Sequence, residues 1–410
     1  MGCCCSCFTR ISCNIQLWLI NHLNCITGMI LSWFYVIDLL IYSLGPKEFL
    51  TKRQGLFGQN FAALGRIIAG DYEEVKYLIE SSQKRGAFLG RARLRPSKFS
   101  KNFPLFLSDE GAGGTALHST LHEHFWSDLV PAATVVISSN EEVFAQYLVD
   151  GLKKQTDNLS VVTEMTARYM CHAFFGAPLT DKLAKDIRDL CSTSNLFSSI
   201  TLGGAKPFNY LTACVQCPRA NKLNRFKEFV LGSPLMAEYV PGEANGNQTS
   251  DDYAEMMIDV ISIAAILGTS NLLLQVFTIP DSTAIDLNDK KDVMMAVLEA
   301  ARLRAPVNNV NVLIPEEKQM VVNGKQTTLP ANTLVAASIG LACLDGGVFL
   351  QPDVYNHKRE NLIMAMINFN HVGFSPEGSG TRQCPGRNIA LKCASDILKL
   401  HRAPAAAIAD

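Results

Sequence analysis

Cys384 stands in the run Gly380-Thr381-Arg382-Gln383-Cys384-Pro385-Gly386-Arg387, a glycine-rich turn that leads straight into a helical pattern. The stretch Arg387-Asn388-Ile389-Ala390-Leu391-Lys392 reads as a helix start, and the positive end of its dipole faces the sulfur. That field, the backbone N–H groups of the turn and Arg382 two residues upstream all favour an anionic sulfur, the form that binds metals. Glycines at 378, 380 and 386 let the backbone pass close to a flat group with no Cβ in the way. A lone cysteine in such a turn is also compatible with a buried, inert thiol. The sequence upstream has to decide between the two.

Two further signatures precede the turn. From Lys291 to Leu303, Val293, Met294, Val297, Leu298 and Ala301 recur at helical spacing, and the same helix carries Glu299 and Arg302 three residues apart. Then comes Phe349-Leu350-Gln351-Pro352-Asp353-Val354-Tyr355-Asn356-His357-Lys358-Arg359, an irregular stretch whose arginine can reach the same glutamate. Taken alone, the Glu/Arg pair is equally a solvated surface contact of little energetic value.

In this order and spacing, Glu299-x-x-Arg302, Phe349-x-x-Pro352-x-x-Tyr355-x-x-x-Arg359 and Gly380-x-Arg382-x-Cys384-x-Gly386 resemble the cytochrome P450 superfamily. The resemblance implies a mainly α fold with small β-sheets, the triangular heme-thiolate architecture. It implies heme b, with Cys384 as the iron ligand and Arg382, Gly380 and Gly386 as heme-binding residues. By the same resemblance Glu299, Arg302 and Arg359 form a buried charge triad that locks the heme loop. The segment Ala116-Leu117-His118-Ser119-Thr120-Leu121-His122 is similar to the helix that holds a heme propionate, which would make His118 and His122 cofactor-binding residues. His122 stands where the family has arginine, and two surface histidines one turn apart are the other reading. Asn323-Gly324 reads as a two-residue hairpin turn, and Leu329–Val335 is similar to the strand that follows it in the family.

A long helix from Asp252 to about Val276 is similar to the family's central distal helix, with Ala264, Ala265, Gly268, Thr269, Ser270 and Asn271 where oxygen is activated. Thr269, Ser270 and Asn271 are the candidate catalytic residues. The Thr269 hydroxyl could instead bond to a carbonyl one turn back. Where the family has an acid before the threonine, this chain has Gly268. It also has Glu377, not phenylalanine, seven residues before the cysteine, with Phe374 three residues earlier. A dioxygen-splitting enzyme must deliver protons to oxygen, and an alcohol beside a carboxylate is the usual relay. Without the carboxylate, water held by Thr269, Ser270 and Asn271 substitutes, or a peroxide that needs no relay is the oxidant. The function implied is a monooxygenase inserting one oxygen atom into an apolar or lipid-like substrate, with NADPH-derived electrons from a reductase partner. The alternatives are a peroxide-using heme enzyme of hydroperoxide isomerase, lyase or peroxygenase type, and a catalytically impaired heme-binding relative. Asn308, Asn309 and Asn311 suggest a partly polar substrate, or serve as turn residues.

Apolar residues make up 48% of the 410 and charged residues 18%, so a large core or a membrane association is expected. A net charge of −1 leaves no basic surface for nucleic acid. Residues 1–45 read as an anchor or targeting segment and 46–410 as the heme domain. From Ile11 to Leu44 the only formal charge is Asp38, and Ile26–Leu44 approaches the length of a membrane span. Arg10 before it and Lys47, Lys52 and Arg53 after it place the heme domain on the cytosolic side, at the endoplasmic reticulum, with the plastid envelope as the alternative. Met1-Gly2-Cys3-Cys4-Cys5-Ser6 fits an acylation pattern. The 13 cysteines show no disulfide spacing, and Cys214-x-x-Cys217 lacks the second pair a metal site needs. The 26 residues after Cys384 imply a more open pocket than in the family, or a shortened form.

Overall fold

Residues 159–175 build the centre of the molecule because nearly every side of that helix is apolar, which allows burial all round. The computed structural model describes residues 12–19, 46–63, 66–81, 125–154, 158–201, 221–239, 250–369, 371–372 and 383–403. In chain order the helices are α1 (Pro46–Phe57), α2 (Tyr72–Ser81), α3 (Val130–Ser139), α4 (Glu141–Leu152), α5 (Leu159–Phe175), α6 (Asp181–Thr201), α7 (Pro234–Tyr239), α8 (Ser250–Asp259), α9 (Gly268–Val276), α10 (Lys290–Leu303), α11 (Ile339–Ala342), α12 (Leu362–Ala365) and α13 (Arg387–Arg402). A further helix spans 221–231. Wide π turns occupy Phe125–Leu129 and Val260–Leu267.

The central helix α5 starts where the Asn158 side chain accepts the Ser160 N–H at 2.9 Å, and it stops at Gly176, whose φ of 69° is left-handed. Around it pack α3, α4, α6, the π segment at Val260–Leu267 and α9. The helix α10 starts in the same way, with Asp289 accepting the Lys291 N–H at 2.9 Å.

A small sheet sits to one side: β1 (Asn60–Ala63), β2 (Arg66–Ala69), β3 (Asn309–Leu313) and β6 (Leu334–Ser338), in the order β1-β2-β6-β3. The pair β2/β6 is parallel and the other two pairs are antiparallel. The strands β4 (Lys318–Val322) and β5 (Lys325–Leu329) form the hairpin expected at Asn323-Gly324, with φ 52° and 72° at its two turn residues. A two-residue ladder, β7 (Ile367–Asn368) with β8 (His371–Val372), leads towards the cysteine turn. Mainly α with small sheets is therefore the observed class.

The amino-terminal anchor expected over 1–45 is not supported. Among the described residues no helix is long and apolar enough to cross a membrane, and the candidate span Ile26–Leu44 lies outside them. The described part, a short helix at 12–19, packs against the rest of the fold: Cys13 is buried with Leu50, Phe57, Phe61, Ile68 and Leu341. Asn323 Nδ2 donates to the Cys13 carbonyl at 3.1 Å. Ile15 and Trp18 of the same helix stay exposed.

Candidate active site

The three charged residues of the upstream signatures meet inside the protein. Glu299 and Arg302 are completely buried, and Arg359 is 8% exposed. Arg302 donates from Nε to Glu299 Oε2 at 2.8 Å and from Nη2 to Oε1 at 2.9 Å, a two-pronged pair that the i, i+3 spacing on α10 makes possible. Arg359 Nε donates to the same Oε1 at 3.0 Å, and the Asn356 N–H adds a fourth donor at 2.9 Å. The remaining guanidinium N–H groups bind main-chain carbonyls. Arg302 reaches Cys343 at 2.6 Å and Pro352 at 2.7 Å. Arg359 reaches Gln351 at 2.8 Å, Val354 at 2.6 Å and Leu350. Phe349 covers Arg302 at 4.9 Å. The pair is thus a buried lock, not a surface contact, and it fixes the irregular stretch 349–359 by its own backbone.

Cys384 sits in the turn that starts α13, and α10 and α13 pack together. Its N–H donates to the Phe369 carbonyl at 2.9 Å, which ties the turn to the end of the β7 strand. Burial pushes the thiol up from its ordinary value, while N–H bonds from Gly386 and Arg387 and the Arg387 guanidinium draw it back down. Those donors point at the sulfur from the first residues of α13, as the helix-start reading required. Arg387 is 1% exposed and lies 5.8 Å from the Trp126 ring. Its position as the first residue of α13 is visible in the sequence, but its charge was assigned no role there, and Trp126 carried no signal at all. His118, His122, Gly380 and Arg382 lie outside the described residues.

The distal helix is continuous from α8 through the π segment Val260–Leu267 into α9. The π turns end at Leu267, two residues before Thr269, and such widened turns concentrate at functional sites. One face of this helix is made of small residues at Ala264 and Gly268 and ends at Asn271, spaced four and three apart. Ala264 is exposed and Gly268 part-exposed, although Ile261, Ile266, Leu272 and Leu273 around them are buried. A Cβ added at Gly268 would meet nothing within 4 Å. The helix therefore opens on space along that face.

The three candidate catalytic residues differ in what they are free to do. Ser270 Oγ donates to the Ile266 carbonyl one turn back at 2.7 Å, so its hydroxyl is committed to the backbone. Asn271 Nδ2 donates to the Pro306 carbonyl at 3.1 Å. Thr269, 3% exposed, makes no side-chain hydrogen bond among the described residues. The back-bonding expected as an alternative for Thr269 is made by its neighbour.

These residues fit a heme. A part-buried thiol held by two N–H donors and a guanidinium suits an anionic iron ligand. Gly386, like Gly268, has nothing within 4 Å of an added Cβ, so neither wall obstructs a flat group. The comparisons agree. The family model for cytochrome P450 matches residues 282–395, the span that holds all three signatures. Pulcherriminic acid synthase of Bacillus subtilis (strain 168) is 24% identical over 344 residues, covering 78% of each chain. Among solved structures, the retinoic-acid-bound cyanobacterial CYP120A1 superposes with a TM-score of 0.61 at 16% identity, over 88% of both chains. CYP164A2 of Mycobacterium smegmatis with econazole bound does so with a TM-score of 0.61 at 18% identity, over 89% of this chain and 92% of that one. The buried triad and the cysteine turn lie within the residues that match the cytochrome P450 family model, and the fold is that of the solved P450 structures.

Proposed function

We propose that the protein is a heme-thiolate monooxygenase that inserts one oxygen atom into an apolar organic substrate, drawing NADPH-derived electrons through a reductase partner. The observation that carries the reading is the part-buried Cys384 sulfur, held by the N–H groups of Gly386 and Arg387 at the start of α13. When bound, a thiolate-ligated heme supplies the electron-rich iron chemistry that activates oxygen. The chain contributes the rest. Cys384 provides the ligand, Arg387 offsets its charge, and the Glu299–Arg302–Arg359 lock holds the adjoining backbone still. On the distal side, Thr269 has an uncommitted hydroxyl beside the open space at Gly268, where it can hold a water and pass a proton. The small-residue face at Ala264 and Gly268 leaves room for an apolar substrate.

One observation favours a second reading, use of a peroxide in place of reductase and oxygen. In sequence Thr269 is flanked by Gly268 and Ser270 and not by an acid, and Ser270 and Asn271 spend their donors on carbonyls, so the proton relay is thin. The two readings separate by supplying the heme-loaded protein with a reductase, NADPH and oxygen, or with an organic hydroperoxide, and measuring product per electron consumed. Coupled turnover in the first arm that falls about a hundredfold in Thr269→Ala supports the monooxygenase. Turnover confined to the hydroperoxide arm, unaffected by Thr269→Ala, supports the second reading.

A further inference from the structure

Asn271 was a candidate for holding catalytic water, yet its geometry gives it another task. Its Nδ2 spans from α9 to the Pro306 carbonyl at 3.1 Å, a bond between residues 35 positions apart in sequence. Pro306 lies in the short connection that leaves α10 and enters β3 at Asn309. That connection then exposes Val307, at 50%, and Asn308. Asn271 shares its helix face with Gly268 and Ala264, so it stands at the end of the face that opens on space. The amide therefore ties the distal helix, at the end of the face that opens on space, to the Pro306–Asn308 connection.

Among the described residues no other side-chain hydrogen bond joins these two segments directly. The connection is anchored behind by the Gly340 N–H, which donates to the Asn308 carbonyl at 3.2 Å, and by the β3/β6 ladder that begins at Asn309 opposite Ser338. On the helix side, Gln275 Nε2 donates to the Asn271 carbonyl at 3.2 Å and Ser270 is bonded to Ile266. Each segment is thus held by its own element, and the Asn271 amide sets the distance between them. Proline contributes no N–H at that point, so its carbonyl is the group available to be gripped.

We infer that Asn271 is a specificity-determining positioning residue: its bond to Pro306 fixes the width of the substrate opening between the distal helix and Val307, and so limits the bulk of the ligand admitted. This rests on the heme-thiolate reading, since the opening is taken as the substrate side of that site. The residue acts through the connection it holds and needs no contact with the reacting atoms.

The test uses full-length heme-loaded protein and two azole probes, imidazole as the small one and econazole as the bulky one, each titrated by the change in the heme spectrum. Asn271→Ala removes the tie, and Asn271→Leu keeps the bulk but lacks the donor. Both variants are expected to bind econazole about tenfold differently from the unmodified protein while imidazole affinity stays within about twofold. Thermal unfolding of each variant checks that it is folded, and if Asn271→Ala fails to fold, Asn271→Leu decides. An Asn271→Leu protein that binds both probes as the unmodified protein does would overturn the inference, because side-chain volume and not the tie would then set the width. Equal changes for both probes would overturn it too. If the unmodified protein binds heme without a thiolate spectrum, the heme-thiolate reading fails first, and that failure is seen before any probe is added.

Discussion

Arg302 turns back onto Glu299 with two of its nitrogens, at 2.8 and 2.9 Å, and neither residue is reached by solvent. A carboxylate so enclosed is stabilised only by its donors, since water cannot replace any of them. The same arginine then grips the carbonyls of Cys343 and Pro352, and Arg359 grips three more. Charge at one point is converted into fixed backbone around it.

Removing the charge while keeping the shape isolates this effect. Glu299→Gln leaves two buried guanidinium groups without an anion and is expected to destabilise the fold by about 3–5 kcal/mol. Denaturant unfolding measures it. Arg302→Lys keeps a charge but not the fork, and it leaves carbonyls at 343 and 352 short of donors, so it is expected to be destabilised as well rather than to behave as a conservative exchange. Protein of unchanged stability in either variant would mean that the pair is solvated in solution.

Gly268 gives the relay a direct test. A Cβ added at Gly268 meets nothing within 4 Å, so Gly268→Asp starts its side chain without a clash. Supplying the carboxylate beside Thr269 is expected to raise coupling of reductase electrons to product by about tenfold or more and to leave the hydroperoxide-driven rate unchanged. Product and electron consumption are measured side by side. An equal rise in both arms would show that the acid acts otherwise than as a proton source for oxygen.

His172 predicts a pH dependence. It is 8% exposed, stacked on Phe144 at 5.0 Å, with Nδ1 3.1 Å from the Tyr147 hydroxyl, and burial holds its pKa below the usual 6.5. The unfolded chain therefore takes up a proton before the folded protein does. Its contribution to stability is complete above pH 6.5 and is lost progressively as pH falls below 6.5 towards the depressed folded value. His357 and His401 are depressed in the same sense by burial and add to the same loss. His172→Gln is expected to flatten, not abolish, the fall in Tm between pH 7 and pH 5. A slope unchanged by that substitution would place the titration elsewhere.

Much of this architecture was legible in the chain because its chemistry depends on short spacings. Glu299 and Arg302 lie on one helical turn, Asn323-Gly324 needs two left-handed residues, and Cys384 directly precedes a helix start; each is a local constraint that a sequence displays. What escaped reading depends on partners far away in sequence or on backbone atoms that carry no side-chain signature. The π turns at Val260–Leu267 use residues that would suit an ordinary α-helix. The commitment of Asn271 to the Pro306 carbonyl, and of Arg359 to three carbonyls, involves acceptors that every residue possesses. Residues 12–19 fell inside the segment 1–45 expected as an anchor, because an apolar stretch looks the same whether it meets lipid or, as Cys13 does, a protein surface.

The most direct test of the whole account is the absorption spectrum of the reduced, carbon-monoxide-bound protein, recorded for the unmodified chain, Cys384→Ala and Cys393→Ala. Cys393 is the nearest other thiol, fully buried within α13, where burial pushes it far above its ordinary value. A thiolate-type spectrum in the unmodified chain and in Cys393→Ala, lost in Cys384→Ala together with most of the bound heme, is the predicted result. A Cys384→Ala protein that retained the thiolate spectrum would contradict the assignment of the ligand and, with it, the function proposed for this site.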